Sequence, residues 1–167
     1  VAYADIWQMI YDRFVEVKNE LQLAYNIEDD LNILKSELNK NIAVDYLVSR
    51  GEYLTAKLMS NYLGYTFFDA KELIHFNYDG KINYEITESN VKNAFAKNSC
   101  IVVPGFYGAY PNGTIKLLSR GGSDVTGSIL AKCVKASLYE NWTDVSGILT
   151  ADPRIIANPK AIKEITY

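Results

Sequence analysis

Residues 117–127 read L-L-S-R-G-G-S-D-V-T-G, and this stretch is the strongest local signal in the sequence. An apolar segment that runs into paired glycines and then into a helical pattern is typical of the strand–turn–helix units of α/β proteins. Gly121 and Gly122 allow a tight turn and let the backbone approach a ligand closely. The helix expected from about Val125 to Ala136 presents free N–H groups and the positive end of its dipole at this turn.

Three polar residues complete this motif. Arg120 offers a planar, two-pronged donor to a carboxylate or a phosphate. Ser123 and Asp124 either take part in ligand binding or only cap the helix by accepting hydrogen bonds from its first amides. The motif is neither a dinucleotide G-x-G-x-x-G pattern nor a P-loop, because no Gly-Lys-Ser/Thr follows the glycines. We favour anion binding at Gly121, Gly122 and Ser123 over mere capping.

A second motif, S-R-G-E, occupies residues 49–52. Gly51 interrupts the local pattern, so a helix is predicted from Glu52 to Tyr62, with Gly64 as its C-terminal stop. A carboxylate in the first turn of a helix is stabilised by the helix dipole, and taken alone this explanation of Glu52 is favoured. The alternative is that Glu52 receives the ammonium group of an amino-acid substrate.

Two further stretches are suited to ligand contact. Residues 102–108 read V-V-P-G-F-Y-G, which fits either a loop beside a ligand or a plain turn. Residues 141–154 read N-W-T-D-V-S-G-I-L-T-A-D-P-R and follow a strand predicted over Leu138–Trp142. Loops at the carboxyl ends of strands are where open α/β sheets bind ligands. Asp144 and Asp152 fit turn formation, whereas Arg154 is suited to a nucleotide phosphate.

The rest of the chain alternates between helical and short apolar patterns. This alternation predicts an α/β fold with a mainly parallel sheet in one domain. The remaining helices are predicted over Ala4–Tyr25, from Asp29 through Leu38 to about Asn41, and from a cap at Thr87 to Lys97. The remaining strands are predicted over Tyr65–Phe68, Cys100–Val103 and Thr114–Leu118, with turns at Asp79-Gly80 and Asn112-Gly113.

Composition narrows the functional classes. The 167 residues are 49% hydrophobic and 22% charged, which indicates a folded domain and not a disordered chain. A net charge of −3 argues against a nucleic-acid-binding protein, and the apolar runs are far too short to cross a membrane. His75 is the single histidine, so a multi-histidine metal site is excluded. Cys100 and Cys133 are interpreted as two buried, reduced thiols.

Taken in order, the S-R-G-E, V-P-G-F-Y-G, R-G-G-S-D and T-D-V-S-G-I-L-T-A-D-P-R segments resemble the aspartokinases of the amino-acid kinase family. The resemblance runs from about Val44 to Tyr167. It implies an incomplete three-layer αβα sandwich with a mainly parallel sheet. It also implies ATP-dependent phosphorylation of the side-chain carboxylate of L-aspartate, the first step in the biosynthesis of the aspartate-family amino acids lysine, threonine and methionine.

The resemblance assigns roles to individual residues. Glu52 resembles the residue that receives the substrate's amino group, with Ser49 beside it in the substrate-binding motif. Arg120 resembles the residue that holds substrate carboxylate, and Asp124 the aspartate that organises the catalytic site; these two are the expected catalytic residues. The glycine turn, Gly121, Gly122 and Ser123, is expected to bind the nucleotide. Further nucleotide contacts are implied for Thr143 and Asp144 at the adenine and ribose, and for Arg154 at the phosphates of ATP, with Mg²⁺ bridging those phosphates.

Two segments of the family pattern have no counterpart in residues 1–167. These are the N-terminal Lys-Phe-Gly-Gly loop and the C-terminal ACT regulatory domains, so the sequence is interpreted as a partial catalytic domain. Because the missing lysine meets the transferring phosphate, we expect the segment alone to be nearly inactive. For the intact protein we expect a cytoplasmic homo-oligomer that does not bind nucleic acid or membranes. The alternatives are a kinase of the same fold that acts on glutamate, N-acetylglutamate or a nucleoside monophosphate, and a non-catalytic amino-acid-binding module.

Overall fold

Three amphipathic helices form the N-terminal part of the protein. The computed structural model describes residues 3–38, 41–119, 121–142 and 147–164. Helix α1 spans Tyr3–Glu20, α2 spans Ile27–Leu38 and α3 spans Val44–Leu63. Their apolar faces meet in one core, whose buried members are Trp7, Ile27, Leu31, Leu34, Leu54 and Leu58. The acidic first turn predicted for α2 is confirmed, and its carboxylates favour the positive end of the helix dipole.

Helix α1 ends earlier than its apolar spacing predicts. The pattern continues to Tyr25, but the helix stops at Glu20. Gln22 adopts a left-handed conformation with φ +52°, and Leu23 N donates to Lys18 O at 3.0 Å. The chain therefore turns toward α2 at this point, and the prediction of helix through Tyr25 is wrong.

Helix α3 is continuous through Gly51, so the prediction that a helix begins at Glu52 is wrong. A glycine inside a helix costs only about 1 kcal/mol relative to alanine. Burial of Leu54 and Leu58 against α1 and α2 outweighs that cost. The C-terminal stop is confirmed: Gly64 has φ +68°, and its N–H donates to Ser60 O.

Four short strands form two small sheets. Strand β1 (Thr66–Phe67) pairs in parallel with β2 (Ile101–Val102), and β3 (Tyr107–Ala109) pairs antiparallel with β4 (Ile115–Leu117). The turn predicted at Asn112-Gly113 joins β3 to β4. Strand β3 begins at Tyr107, within the 102–108 stretch predicted as a loop or a plain turn, and ends one residue beyond it. Three residues are too few to show an alternating pattern.

The strand predicted over Leu138–Trp142 does not form. Within the described residues this stretch has no strand partner. Leu138 is 71% exposed and Trp142 is 87% exposed, so the apolar run is not buried. An apolar run without a neighbouring strand cannot satisfy its backbone groups in a sheet.

Three more helices complete the fold: α4 (Ala70–Leu73), α5 (Tyr84–Lys97) and α6 (Gly122–Val134). Helices α5 and α6 cover a second core, whose buried members are Leu73, Ile74, Phe76, Val91, Ala94, Ile129 and Cys133. Thr87 was expected to cap α5, but Asn83 is the cap and accepts from Ile86 N at 3.0 Å. Thr87 is fully buried instead, and its Oγ1 accepts from His75 N at 3.1 Å.

The two cysteines differ in their surroundings. Cys133 is buried in the second core, as expected. Cys100 is exposed, because β2 begins only after it, so the expectation of two buried thiols is wrong. Within the described residues, no helix has the length and apolarity to cross a membrane.

Candidate functional site

Helix α6 begins directly after a glycine. Gly121 occupies the N-cap position with φ +80°, a conformation that favours glycine. Gly121 has no side chain that could accept from the first amides, and neither Ser123 nor Asp124 accepts from them, so the alternative that one of these two residues caps the helix is wrong. Ser123 and Asp124 lie exposed in the first turn. Among the described residues no side chain occupies the positive end of the helix dipole, which is suited to an anion.

The V-P-G-F-Y-G stretch lies directly against this helix end. A Cβ atom on Gly105 would come within 2.8 Å of Ser123 Oγ, and one on Gly122 within 2.8 Å of Phe106 Cβ. Phe106 N donates to Thr126 Oγ1 at 3.0 Å. The 102–108 and 117–127 stretches thus form one surface. Gly105 and Gly122 are both required, because a side chain at either position would prevent the close approach.

Asp124 is also connected to the start of the 141–154 stretch. Asn141 Nδ2 donates to Asp124 Oδ1 at 3.1 Å. Sequence reasoning assigned no role to Asn141, because an exposed asparagine at the start of a loop carries no signal of its own. The bond brings the segment expected to contact the nucleotide to the first turn of α6.

Arg154 lies in an ion pair within its own turn. Its Nη2 is 2.7 Å from Asp152 Oδ2, and its backbone N–H donates to Asp152 Oδ1 at 2.9 Å. These hydrogen bonds lower the pKa of Asp152 below its ordinary value and raise the pKa of Arg154. Asp152 is therefore the turn former that the sequence predicted. Because the Arg154 side chain is 85% exposed, it is accessible to a ligand.

The S-R-G-E motif lies within α3. Glu52 is exposed in the interior of the helix, so stabilisation by the dipole in a first turn does not explain it. Ser49 is fully buried, and its Oγ donates to Tyr46 O at 2.6 Å. Substrate binding by Glu52 and Ser49 stays a prediction. No hydrogen bond or ion pair joins either residue to α6 in the described ranges.

Arg120, Thr143 and Asp144 lie outside the described residues, so their expected roles stay predictions. Sequence reasoning also missed Arg50, which is buried and surrounded by tyrosine rings. The spacing of Tyr46, Arg50 and Tyr53 is the signal that would have found it, because side chains three and four positions apart share one face of a helix.

The chain is similar to aspartokinases in sequence and in structure. It is 32% identical to aspartokinase 3 of Bacillus subtilis over 98% of this chain and 39% of that protein. The crystal structure of Clostridium acetobutylicum aspartate kinase is 42% identical, with a TM-score of 0.86 over 96% of this chain and 37% of that one. Escherichia coli aspartokinase III is 26% identical, with a TM-score of 0.60 over 99% of this chain and 37% of that one.

These similarities confirm the expected α/β fold and the resemblance to aspartokinases. The chain spans about two fifths of the length of these relatives, 39% of the Bacillus protein and 37% of the Clostridium one. The model of the amino acid kinase family matches residues 12–167. The chain therefore belongs to the amino acid kinase family.

Proposed function

We propose that the whole protein transfers the γ-phosphoryl group of ATP to the side-chain carboxylate of L-aspartate, giving 4-phospho-L-aspartate. The names of its relatives support this activity. The E. coli relative was solved with lysine and aspartate, which supports a free amino acid as the substrate. Because the chain covers only part of each relative, the proposal is made for the whole protein and not for these residues alone.

The observation that carries the proposal is the glycine N-cap of α6, packed beside the Gly105 loop. Among the described residues the first amides of α6 receive no side-chain cap, and the contact with Ser123 leaves no room for a side chain at Gly105. Backbone N–H groups at a helix N-terminus are suited to the negative charge of a phosphate or carboxylate. A kinase needs such a site, because phosphoryl transfer depends on positioning and on neutralising charge.

The roles implied by the resemblance fit the chemistry of these side chains. Glu52 would receive the ammonium group of aspartate, and Arg120 would hold substrate carboxylate through two parallel hydrogen bonds. Asp124 would organise the groups at the first turn of α6. Thr143 and Asp144 would contact the adenine and ribose. Arg154 would meet the phosphates after leaving Asp152.

The reaction requires no general base in the protein. The attacking carboxylate of aspartate has an ordinary pKa near 4 and is ionised at neutral pH. In the described ranges, no cluster of three or more histidine, cysteine, aspartate or glutamate side chains is arranged to hold a metal ion. We therefore propose that Mg²⁺ is held mainly by the phosphates of ATP, where it neutralises the developing charge.

The test is a comparison of acceptors with the purified whole protein. ADP formation and trapping of the acyl phosphate by hydroxylamine are measured with aspartate, glutamate and N-acetylglutamate. We expect turnover with aspartate alone. Faster turnover of either other acid would assign the protein to another amino-acid kinase. Binding of aspartate in calorimetry without any ATP turnover would identify a non-catalytic amino-acid-binding module.

We also propose that the whole protein acts in the cytoplasm as a homo-oligomer. The requirement for ATP supports this compartment, and so do the two unpaired thiols, which fit a reducing environment. Light scattering of the purified whole protein measures its mass in solution. A monomer across the working concentration range would contradict the oligomeric part of the proposal.

A further inference from the structure

Arg50 is a buried cation without an acidic partner among the described residues. It is 6% exposed and lies on α3, close in sequence to Glu52. Its Nε and Nη2 both donate to Ser49 Oγ, at 3.2 and 3.0 Å. No carboxylate lies within ion-pair distance of Arg50 in the described part of the chain. A buried charge in this situation is costly unless other groups compensate it.

Tyrosine rings surround the guanidinium. Its Cζ lies 4.4 Å from the ring centroid of Tyr46, 4.3 Å from that of Tyr53 and 5.6 Å from that of Tyr107. Burial raises the pKa of Tyr46 to about 12, and it also raises the pKa of Tyr107. Both phenols are therefore neutral at working pH. They attract Arg50 through their rings, which helps to hold the guanidinium in place.

Tyr107 links Arg50 on α3 to β3 and to the start of α4. Its side chain is fully buried, and its Oη donates to Asp69 Oδ1 at 2.7 Å. Asp69 in turn caps α4, accepting from Lys71 N. The ring of Tyr107 contacts Arg50, and its hydroxyl group is bonded to Asp69. Contacts from α3 and from the cap of α4 therefore determine the position of Tyr107 on β3.

The residues just before Tyr107 are those that contact α6. Gly105 lies against Ser123, and Phe106 N donates to Thr126 Oγ1 at 3.0 Å. Phe106 O also accepts from Leu118 N at 2.7 Å, which joins this loop to the chain leading into Gly121. A continuous set of contacts therefore runs from Arg50 through Tyr107 to the first turn of α6.

We infer that Arg50 is a positioning residue, which sets the place of Glu52 on α3 relative to the first turn of α6. The inference rests on the proposed function for the role of Glu52 in binding the amino group of aspartate. Arg50 acts through Tyr107 and the Gly105–Phe106 loop, without touching the substrate. Loss of Arg50 would shift Glu52 relative to the first turn of α6, which are the two parts of the proposed aspartate site. The contacts with ATP would be less affected.

The first test uses two substitutions in the whole protein, Arg50→Met and Lys57→Met. Lys57 is the matched control, because it lies on the same helix, and its Nζ is 4.9 Å from the ring centroid of Tyr53. Its ion pair with Asp30 holds α3 to α2 and not to β3. We expect both variants to lower the melting temperature. Only Arg50→Met should raise KM for aspartate, by about 10-fold, with a smaller rise in KM for ATP.

A second readout does not depend on activity. Hydrogen–deuterium exchange of residues 103–109 and 118–126 should be faster in Arg50→Met than in Lys57→Met. Equal exchange in the two variants, or an equal change in KM for aspartate, would overturn the inference. If the whole protein does not turn over aspartate, the proposed function fails, and the exchange comparison alone decides the role of Arg50.

A third variant covers the case in which Arg50→Met does not fold. Tyr107→Phe keeps the ring beneath the guanidinium and removes only the bond to Asp69. We expect about a threefold rise in KM for aspartate and faster exchange in 103–109 and 118–126. Unchanged exchange in this variant would overturn the route through Tyr107. Arg50→Lys should restore part of the affinity that Arg50→Met loses, because it keeps the charge but not the planar guanidinium.

Discussion

Asn141 Nδ2 donates to Asp124 Oδ1 at 3.1 Å, and this bond joins the chain after α6 to the first turn of the same helix. Asp124 is the residue expected to organise the catalytic groups. Asn141 begins the segment expected to contact the nucleotide. The hydrogen bond therefore fixes where that segment starts relative to the first turn of α6.

Replacement of Asn141 should weaken catalysis without unfolding the protein. We expect Asn141→Ala to lower kcat about 10-fold, because one hydrogen bond to a charged group contributes about 1.5 kcal/mol. Asp124→Asn should lower kcat about 100-fold or more, on the scale of losing one electrostatic group from an active site. Steady-state assays of the whole protein measure both.

Ser128→Ala provides the control for this comparison. Ser128 Oγ donates to the backbone carbonyl of Asp124 at 2.9 Å, so the substitution alters a contact of Asp124 but not of its carboxylate. We expect its kcat to equal that of the unchanged protein. A loss of activity equal to that of Asn141→Ala would contradict a specific role for the bond between the two side chains.

Two glycine substitutions should have opposite effects on stability. A Cβ atom on Gly122 would lie 2.7 Å from Leu118 Cβ, so Gly122→Ala should destabilise by about 1–3 kcal/mol through overpacking. Gly51 lies inside α3, and a Cβ atom added to it would meet nothing within 4 Å, so Gly51→Ala should stabilise by about 0.5–1 kcal/mol. Urea unfolding of the whole protein measures both. A stabilised Gly122→Ala would contradict the close packing of the loop on α6.

The parts of the fold that could be predicted are those with a strong local signal. The acidic first turn of α2, the Gly64 stop and the turn at Asn112-Gly113 each follow from chemistry within a few residues. Gly51 was interpreted as a helix break because its effect on α3 is local and unfavourable. The burial of α3 against α1 and α2 overrides that preference, and this burial depends on residues distant in sequence.

The candidate site was predictable as a set of motifs but not as a set of contacts. The order of the motifs along the chain identified the family resemblance. The contact of Gly105 with Ser123 and the bond from Asn141 to Asp124 depend on the folding of separate segments. The tyrosines around Arg50 come from both α3 and β3, and β3 was itself not predicted.

The two thiols should react at different rates. Burial raises the pKa of Cys133, and the thiolate is the reactive form, whereas Cys100 is exposed. We expect iodoacetamide to label Cys100 in the native protein and Cys133 only after unfolding in urea. Peptide mass spectrometry identifies the modified residue. If Cys133 in the native protein were labelled as fast as Cys100, its burial in the second core would be contradicted. Cys100→Ser is the control, because it leaves Cys133 as the single thiol to be labelled among residues 1–167.

One ion pair should make stability depend on pH in the acid range. Lys18 Nζ lies 2.7 Å from Glu28 Oε1, and this hydrogen bond lowers the pKa of Glu28. A carboxyl group whose pKa is lowered by folding contributes stability above its ordinary pKa, and that stability is lost as the pH falls through the folded value. We expect Lys18→Met to lose about 0.5 kcal/mol at pH 7 and almost nothing once Glu28 is protonated.

Lys35→Met is the matched control for the pH experiment. Lys35 is an exposed cation in the last turn of α2, and it has no ion-pair partner among the described residues. Urea unfolding between pH 3 and 7 compares the two variants. A constant difference between Lys18→Met and the unchanged protein across that range would contradict the contribution of Glu28.

Arg154 should contribute to nucleotide binding only after it leaves Asp152. The carboxylate holds the guanidinium through Nε and Nη2, at 3.0 and 2.7 Å, and thereby competes with any phosphate. We expect Arg154→Gln to raise KM for ATP about 10-fold and to leave KM for aspartate unchanged. Asp152→Asn keeps an oxygen that can accept from Arg154 N but removes the competing charge. Asp152→Asn should therefore lower KM for ATP. An unchanged KM for ATP in both Asp152→Asn and Arg154→Gln would exclude Arg154 from the phosphate site.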